Sequence, residues 1–205
     1  MAVVVIGGQS RSVGKTSVVA GLIEALPAYQ WTAFKVTQFG HGRCSRRGEP
    51  CHCATADHRW GISEEQDRSA RTDSSRFLAA GAKRSFWVRT RQGRLEEAMP
   101  AIEKLLSESE NAILESNTII NYLRPDLYLT ILDPATEDWK ASALKLLKCA
   151  DAIIVHRADR PLSGRISLPS VSERPVFSVQ PPEYLTDDIV RFVEHRLLKE
   201  AIEAS

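Results

Sequence analysis

The sequence predicts an α/β fold, with a mostly parallel sheet flanked by helices on both faces, and three observations predict it. Short apolar, β-branched runs alternate with amphipathic helical segments along the 205-residue chain. A glycine-containing turn separates the first run from the first helical segment. The composition is that of an ordinary globular protein, 43% hydrophobic and 26% charged, without internal repeats or low-complexity tracts. Parallel strands need crossover connections and are covered on both faces, so their sequences read as continuous apolar runs.

The elements follow in order. Val3 to Ile6 reads as a buried strand ended by Gly7-Gly8. Thr16 to Leu26 reads as a helix, with Val18, Val19, Leu22, Ile23 and Leu26 at helical spacing and Pro27 as its stop. Trp31 to Thr37 is the second strand. From Gln38 to about Thr72 periodicity fails, and this stretch reads as one long loop rich in Gly, Arg, Cys and His; loops of that length are functional or mobile. Asp73 to Ala82 is a short helix ended by Gly81, Ser85 to Arg89 a strand, and Leu95 to Leu106 an amphipathic helix. Asn111 to Leu114 is a strand leading into Glu115, and Asp126 to Leu132 a strand closed by a turn at Asp133-Pro134. Trp139 to Leu147 is a helix, Ala152 to Val155 a strand, and Arg160 to Arg174 a loop rich in Ser, Pro and Gly. Val176 to Val179 is the last strand, and Asp187 to Ala204 a helix with Ile189, Val193, Leu197 and Ala201 on one face. The expected organisation is one domain over residues 1–205 with an insert at about 38–72.

Bulk properties exclude several classes. A formal net charge of +1 gives no reason to expect a nucleic-acid-binding or membrane-surface protein. No apolar run reaches the roughly 18 residues of a membrane span. Met1 leads directly into a short apolar run with no basic region before it, so the expected location is cytoplasmic. Four cysteines in such a protein read as thiols or metal ligands rather than structural disulfides. Cys149, near a helix end, reads as a small buried hydrophobe.

The segment Gly8-Gln9-Ser10-Arg11-Ser12-Val13-Gly14-Lys15-Thr16-Ser17 lies between the first strand and the first helix, where a P-loop belongs. Such a turn points backbone N–H groups at phosphate oxygens, and the helix that follows presents unpaired N–H groups and a positive dipole end. Lys15 would reach the β- and γ-phosphates, and Thr16 would place its hydroxyl on Mg²⁺. The pattern departs from G-x-x-x-x-G-K-[ST] in one respect: Gln9 stands where glycine is usual, and Gly8 comes one residue early. An extra loop residue or an altered first turn would accommodate it.

With Lys15, Asp73 and Gly81 in hand, the chain resembles the MobB-type P-loop proteins of molybdopterin-guanine dinucleotide biosynthesis. These belong with the nitrogenase iron-protein-like ATPases and metallochaperone GTPases. The resemblance rests on the P-loop, on Asp73-Ser74-Ser75-Arg76-Phe77-Leu78-Ala79-Ala80-Gly81-Ala82, which looks like the family's D-S-x-R-x-x-x-A-G-A helix, and on the lysine-bearing strand end Lys35-Val36-Thr37. Together they cover roughly the first half of the chain. Where the family has V-E-G, this chain has Leu114-Glu115-Ser116, and the insert before Asp73 is longer and cysteine-rich. The resemblance implies that Glu115 lies near Mg²⁺ or its water, with a solvated strand end as the alternative. It implies a second Mg²⁺ or water partner in Asp73, for which a helix N-cap is the alternative. Asp133 is a rival strand-end acid. Asp159, in His156-Arg157-Ala158-Asp159, stands where some GTP-binding relatives carry N-K-x-D, but the asparagine and lysine are absent, so ATP and GTP both stay open.

The insert places His41, Cys44, Cys51, His52, Cys53 and His58 within 18 residues. Cys51 and Cys53 can chelate one soft ion, with Cys44 and His41 or His58 completing a tetrahedral Zn²⁺ site. A redox pair, an ordinary loop, and an iron–sulfur cluster shared across a dimer are the other readings. Coupling between this insert and nucleotide state is expected, because segments beside the γ-phosphate change order on hydrolysis. The functional expectation is a Mg²⁺-dependent ATP- or GTP-binding protein with slow NTPase activity, serving as an adaptor in molybdenum-cofactor or metal handling. It would act as a homodimer with a cofactor-biosynthesis protein partner. A small-molecule kinase on the same fold, with Asp73 and Arg76 positioning an acceptor, is one rival. A non-enzymatic metal- or partner-binding module holding a structural nucleotide is the other.

Overall fold

The computed structural model describes residues 1–39, 59–135, 147–156 and 174–203. Strand β1 (Val3–Gly8) is buried along its length because both of its faces meet apolar layers. Side chains alternate across a strand, so Val4 and Ile6 enter one core while Val3 and Val5 enter the other. Around β1 run β2 (Trp31–Phe39), β3 (Trp60–Glu64), β4 (Arg84–Arg91), β5 (Asn111–Glu115), β6 (Leu127–Leu132), β7 (Ala152–His156) and β8 (Val176–Val179). They form one sheet in the order β3-β4-β2-β5-β1-β6-β7-β8. Every pairing is parallel except β3 with β4.

Helices cover both faces. Helix α1 (Lys15–Ala25) buries Val18, Val19, Leu22 and Ile23. Helix α2 (Asp73–Ala79) adds Phe77 and Leu78, and α4 (Asp187–Glu203) adds Ile189, Val193 and Leu197, all in one core with Val4, Ile6 and Trp31. The opposite core holds Val3, Val5, Phe34 and Phe86 under α3 (Met99–Ser107), which contributes Met99, Ile102 and Leu106. The predicted helix from Leu95 begins instead as a 3-10 turn over Leu95–Ala98, since Pro100 has no N–H to donate and suits the first turn of a new helix.

Two further expectations are corrected. The stretch from Gln38 to Thr72 is not all loop: β2 continues to Phe39, and Trp60–Glu64 forms the antiparallel edge strand β3. Its alternation lasts only five residues and includes Gly61, a poor strand former, so only pairing with β4 reveals it. Cys149 is exposed rather than buried. It lies in the turn between Leu147 and Ala150, and those two residues take the inward positions. The predicted helix Trp139 to Leu147 falls almost wholly, and the predicted loop Arg160 to Arg174 all but its last residue, outside the described residues.

The strand order places the site. From β1 the chain passes to β2 on one side, and β6, β7 and β8 line up on the other. Ligands in open α/β sheets bind outside the carboxyl ends of strands at such a reversal. The last β2–β5 pair is Lys35 with Glu115, whereas β2 runs on beside β4 as far as Phe39 with Arg91.

Candidate functional site

The phosphate-loop candidate grows out of the end of β1. Gly8 still pairs with Ile131 of β6, and a Cβ there would lie 2.6 Å from Val13 Cγ1. Gly8 therefore supplies the close approach that lets the loop fold back over its own start. Gln9 continues the strand: its N–H donates to the Ile131 carbonyl at 2.9 Å, and its buried Oε1 accepts from Asp133 N–H at 2.8 Å. The side chain at the position where glycine is usual is thus turned away toward β6. Two left-handed residues, Ser12 (φ 59°) and Gly14 (φ 94°), complete the turn. Gly14 ends it, and among the described residues no side chain caps the start of α1. A helix start of this kind is where backbone amides and the positive dipole end meet an anion. Lys15 lies back along the loop, its Nζ donating to the Ser10 carbonyl at 2.6 Å.

Beside the loop stands a charged cluster drawn from four elements. The Thr16 hydroxyl of α1 donates to Glu115 Oε2 of β5 at 2.7 Å. Lys35 of β2 bridges Glu115 Oε1 at 2.5 Å and Asp73 Oδ2 of α2 at 2.7 Å. Glu115 is only 4% exposed at its side chain, so it is not a solvated strand end. Asp73 is not the helix cap. Thr72 caps α2, its Oγ1 accepting from Ser75 N–H at 3.1 Å while its own N–H donates to Ser75 Oγ at 2.8 Å. Asp73 is thereby left to face Lys35. Arg76, one turn on, donates from Nη2 to Ser17 Oγ at 3.2 Å.

Three residues absent from the expected site support it. Lys35 was legible only as part of a family pattern, although a lysine inside an otherwise apolar strand is itself a signal. Glu65 ties down the start of α2: its Oε2 accepts from Ser74 Oγ at 2.7 Å and Thr72 Oγ1 at 3.1 Å, and its Oε1 from the amides of Gln66 and Asp67. Burial pushes its carboxyl up, but those hydrogen bonds outweigh burial and hold it below the ordinary range. Tyr184, after β8, covers the loop, its ring carbons 2.3 Å from where a Cβ on Gly14 would sit. No local pattern announces it. Ser116, where the resembled family has glycine, has a job of its own, its Oγ accepting from the amides of Thr118 and Ile119.

Glu115, Asp73 and the Thr16 hydroxyl are hard oxygen donors gathered around one cationic atom. That chemistry suits Mg²⁺, which takes one or two carboxylates and leaves its remaining positions to water and substrate phosphates. Among the described residues, no group of three or more His, Cys, Asp or Glu is placed to hold a metal ion. The candidate zinc ligands His41, Cys44, Cys51, Cys53 and His58, and the base-recognition candidate Asp159, lie outside the described residues. Asp133 begins a turn, its Oδ1 accepting from Ala135 N–H at 2.9 Å.

No protein-family model matches the sequence, nor does any curated protein. Solved structures do match. One is "apo" LpxK from Aquifex aeolicus in complex with ATP, at 20% identity over 87% of this chain, with a TM-score of 0.49. This chain spans 53% of the LpxK chain, about half its length. HypB from Helicobacter pylori in complex with nickel matches at 14% identity over 100% of this chain and 88% of HypB, with a TM-score of 0.50. The hydrogenase maturation factor HypB from Archaeoglobus fulgidus matches at 10% identity over 95% and 89%, with a TM-score of 0.52. A MobB homologue from Bacillus stearothermophilus matches at 16% identity over the whole of both chains, with a TM-score of 0.41. At these identities the likeness is one of fold, and the fold is that of the P-loop NTPases. The likeness to the MobB homologue is too loose to assign the chain to that family.

Proposed function

We propose that this protein binds a Mg²⁺–nucleoside triphosphate on the loop Gly8 to Ser17 and hydrolyses it slowly, as a switch or adaptor in cofactor or metal handling. One observation carries the reading: the uncapped start of α1 places the Thr16 hydroxyl on the buried carboxylate of Glu115, directly beside the phosphate loop. The loop amides and the α1 terminus would bind phosphate oxygens, and Lys15 would leave the Ser10 carbonyl for the β- and γ-phosphates. Thr16 and Glu115 would hold Mg²⁺, with Asp73 on the γ-phosphate side as a second partner or water-positioning group. When bound, Mg²⁺ neutralises charge building on the transferred phosphoryl group. Turnover is slow in this reading because no residue among those described is placed as an activated nucleophile, while Arg11 in the loop is a candidate for stabilising transition-state charge. Neither ATP nor GTP is favoured.

The test is equilibrium titration of fluorescent ATP and GTP analogues into wild type and Lys15→Ala. Losing charged hydrogen bonds to phosphate is expected to weaken binding about 10- to 100-fold. Equal affinity for the two proteins would sink the reading.

The adaptor role draws on the sequence resemblance and on the nickel bound by one HypB structure. In it the insert ligands His41, Cys44, Cys51, Cys53 and His58 hold Zn²⁺ or another soft ion, as a homodimer with a cofactor-biosynthesis partner. A kinase reading is favoured by one contact, the Arg76 guanidinium beside Ser17 at the loop's end, where an anionic acceptor would meet it. Phosphate transfer to a metabolite with little hydrolysis in its absence would support the kinase over the switch.

A further inference from the structure

Three oxygen donors from three separate elements converge on one atom beside the phosphate loop. Lys35 Nζ donates to Glu115 Oε1 at 2.5 Å, pairs with Asp73 Oδ2 at 2.7 Å and lies 3.4 Å from Thr16 Oγ1. Thr16 is bonded in turn to the second oxygen of Glu115. These are the same hard oxygens that the proposed nucleotide site offers to a divalent ion. The lysine side chain is 13% exposed and the glutamate 4%. Glu115 makes no other ion pair among the described residues, so a largely buried carboxylate depends on this ammonium for its counter-charge. Lysine suits the task because its charge is compact and its four-carbon stem is flexible.

We propose that Lys35 is the stand-in cation of the nucleotide-free site. Its ammonium neutralises Glu115 and Asp73 until Mg²⁺–nucleotide arrives. Lys35 then gives up both carboxylates and turns toward the incoming phosphate oxygens, so the ion and the triphosphate enter together. The inference rests on the nucleotide reading above and adds how the site is regulated: while the lysine is home, this site has no vacancy for a divalent ion.

The experiment uses the nucleotide-free, full-length protein as wild type, Lys35→Met and Lys35→Arg. Mn²⁺ is titrated in and followed by electron paramagnetic resonance, and thermal unfolding is recorded in EDTA and in millimolar Mg²⁺. Lys35→Met is expected to bind one Mn²⁺ per chain at least about 10-fold more tightly than wild type, since the competing charge is gone. Its Tm should fall in EDTA and recover in Mg²⁺, whereas the wild-type Tm should ignore Mg²⁺. Lys35→Arg, which keeps the charge, should exclude Mn²⁺ as wild type does. Adding Glu115→Gln to Lys35→Met should abolish the new Mn²⁺ site, which locates it away from the cysteine-rich insert. Equal Mn²⁺ affinity in wild type and Lys35→Met, or a Lys35→Met Tm indifferent to Mg²⁺, would overturn the proposal. If Lys35→Met cannot be recovered folded, tight Mn²⁺ uptake by nucleotide-free wild type that Glu115→Gln abolishes would overturn it alone, and Lys35→Gln takes the variant's place. Fluorescent nucleotide binding is measured on the same wild-type sample. Its absence would defeat the nucleotide reading while leaving the Mn²⁺ comparison to decide the role of Lys35.

Discussion

At Gly14 one residue carries both a backbone and a packing requirement. Its φ of 94° is left-handed, and a Cβ there would meet the Tyr184 ring at 2.3 Å. Gly14→Ala should therefore cost about 1–3 kcal/mol through backbone strain, plus the clash. Tyr184→Ala in the same chain should relieve only the clash, leaving the strain visible in urea unfolding. Lys15 and Lys35 show the contrast between a residue legible in sequence and one that is not. Lys15 sits in a local pattern, strand, glycine turn and helix start, that resembles a phosphate-binding loop. Lys35 becomes meaningful only when β2, β5 and α2 bring Glu115 and Asp73 to its ammonium from 80 and 38 positions away in the chain.

At the scale of elements, α2 is short, seven residues, and needs its start fixed from outside. Glu65 does this through the hydroxyls of Thr72 and Ser74. Glu65→Gln should lower stability by about 1 kcal/mol and Tm by about 2–4 °C. The folded carboxyl titrates below its ordinary value. Its stabilisation is therefore complete above the ordinary glutamate range and disappears as pH falls through the folded value. Thermal melts of wild type and Glu65→Gln should differ at neutral pH and converge in acid. A gap that persisted into acid would show that the lost stability is packing rather than charge. α1 and α4 were legible because each repeats its period over enough residues, and β1 because it is a continuous β-branched run ended by two glycines. β3 was not, because five residues of alternation interrupted by glycine are indistinguishable from loop until β4 supplies the partner.

At the scale of the molecule, the sheet gathers the ends of β1, β5 and β2 into one crevice while β3 and β4 extend the wall beside it. In the chain the insert joins the end of β2 to the start of β3, the two strands of that wall. Chelator-washed protein is expected to retain one metal per chain, or one per two chains, by elemental analysis, and Cys51→Ser with Cys53→Ser should lose it. Metal-free wild type would remove the metal reading and move weight to the kinase. Unchanged nucleotide affinity and turnover in the double variant would break the coupling between insert and nucleotide. Among the described residues, no helix is long and apolar enough to cross a membrane.

By itself the sequence determined the α/β class, nearly every described strand and helix, and the candidate phosphate loop with Lys15 and Thr16. Those features are local: a strand or helix is written in a few consecutive periods, and the loop's chemistry lies within ten residues. The tertiary structure alone decided that Gly8 and not residue 9 supplies the close approach, that Thr72 rather than Asp73 caps α2, and that Cys149 faces solvent. It also decided that Lys35, Asp73, Glu115 and Thr16 form one cluster. The physical reason is that charge pairing and burial depend on distance through space. Only the crossing of parallel strands converts positions far apart in the chain into neighbours within hydrogen-bond reach.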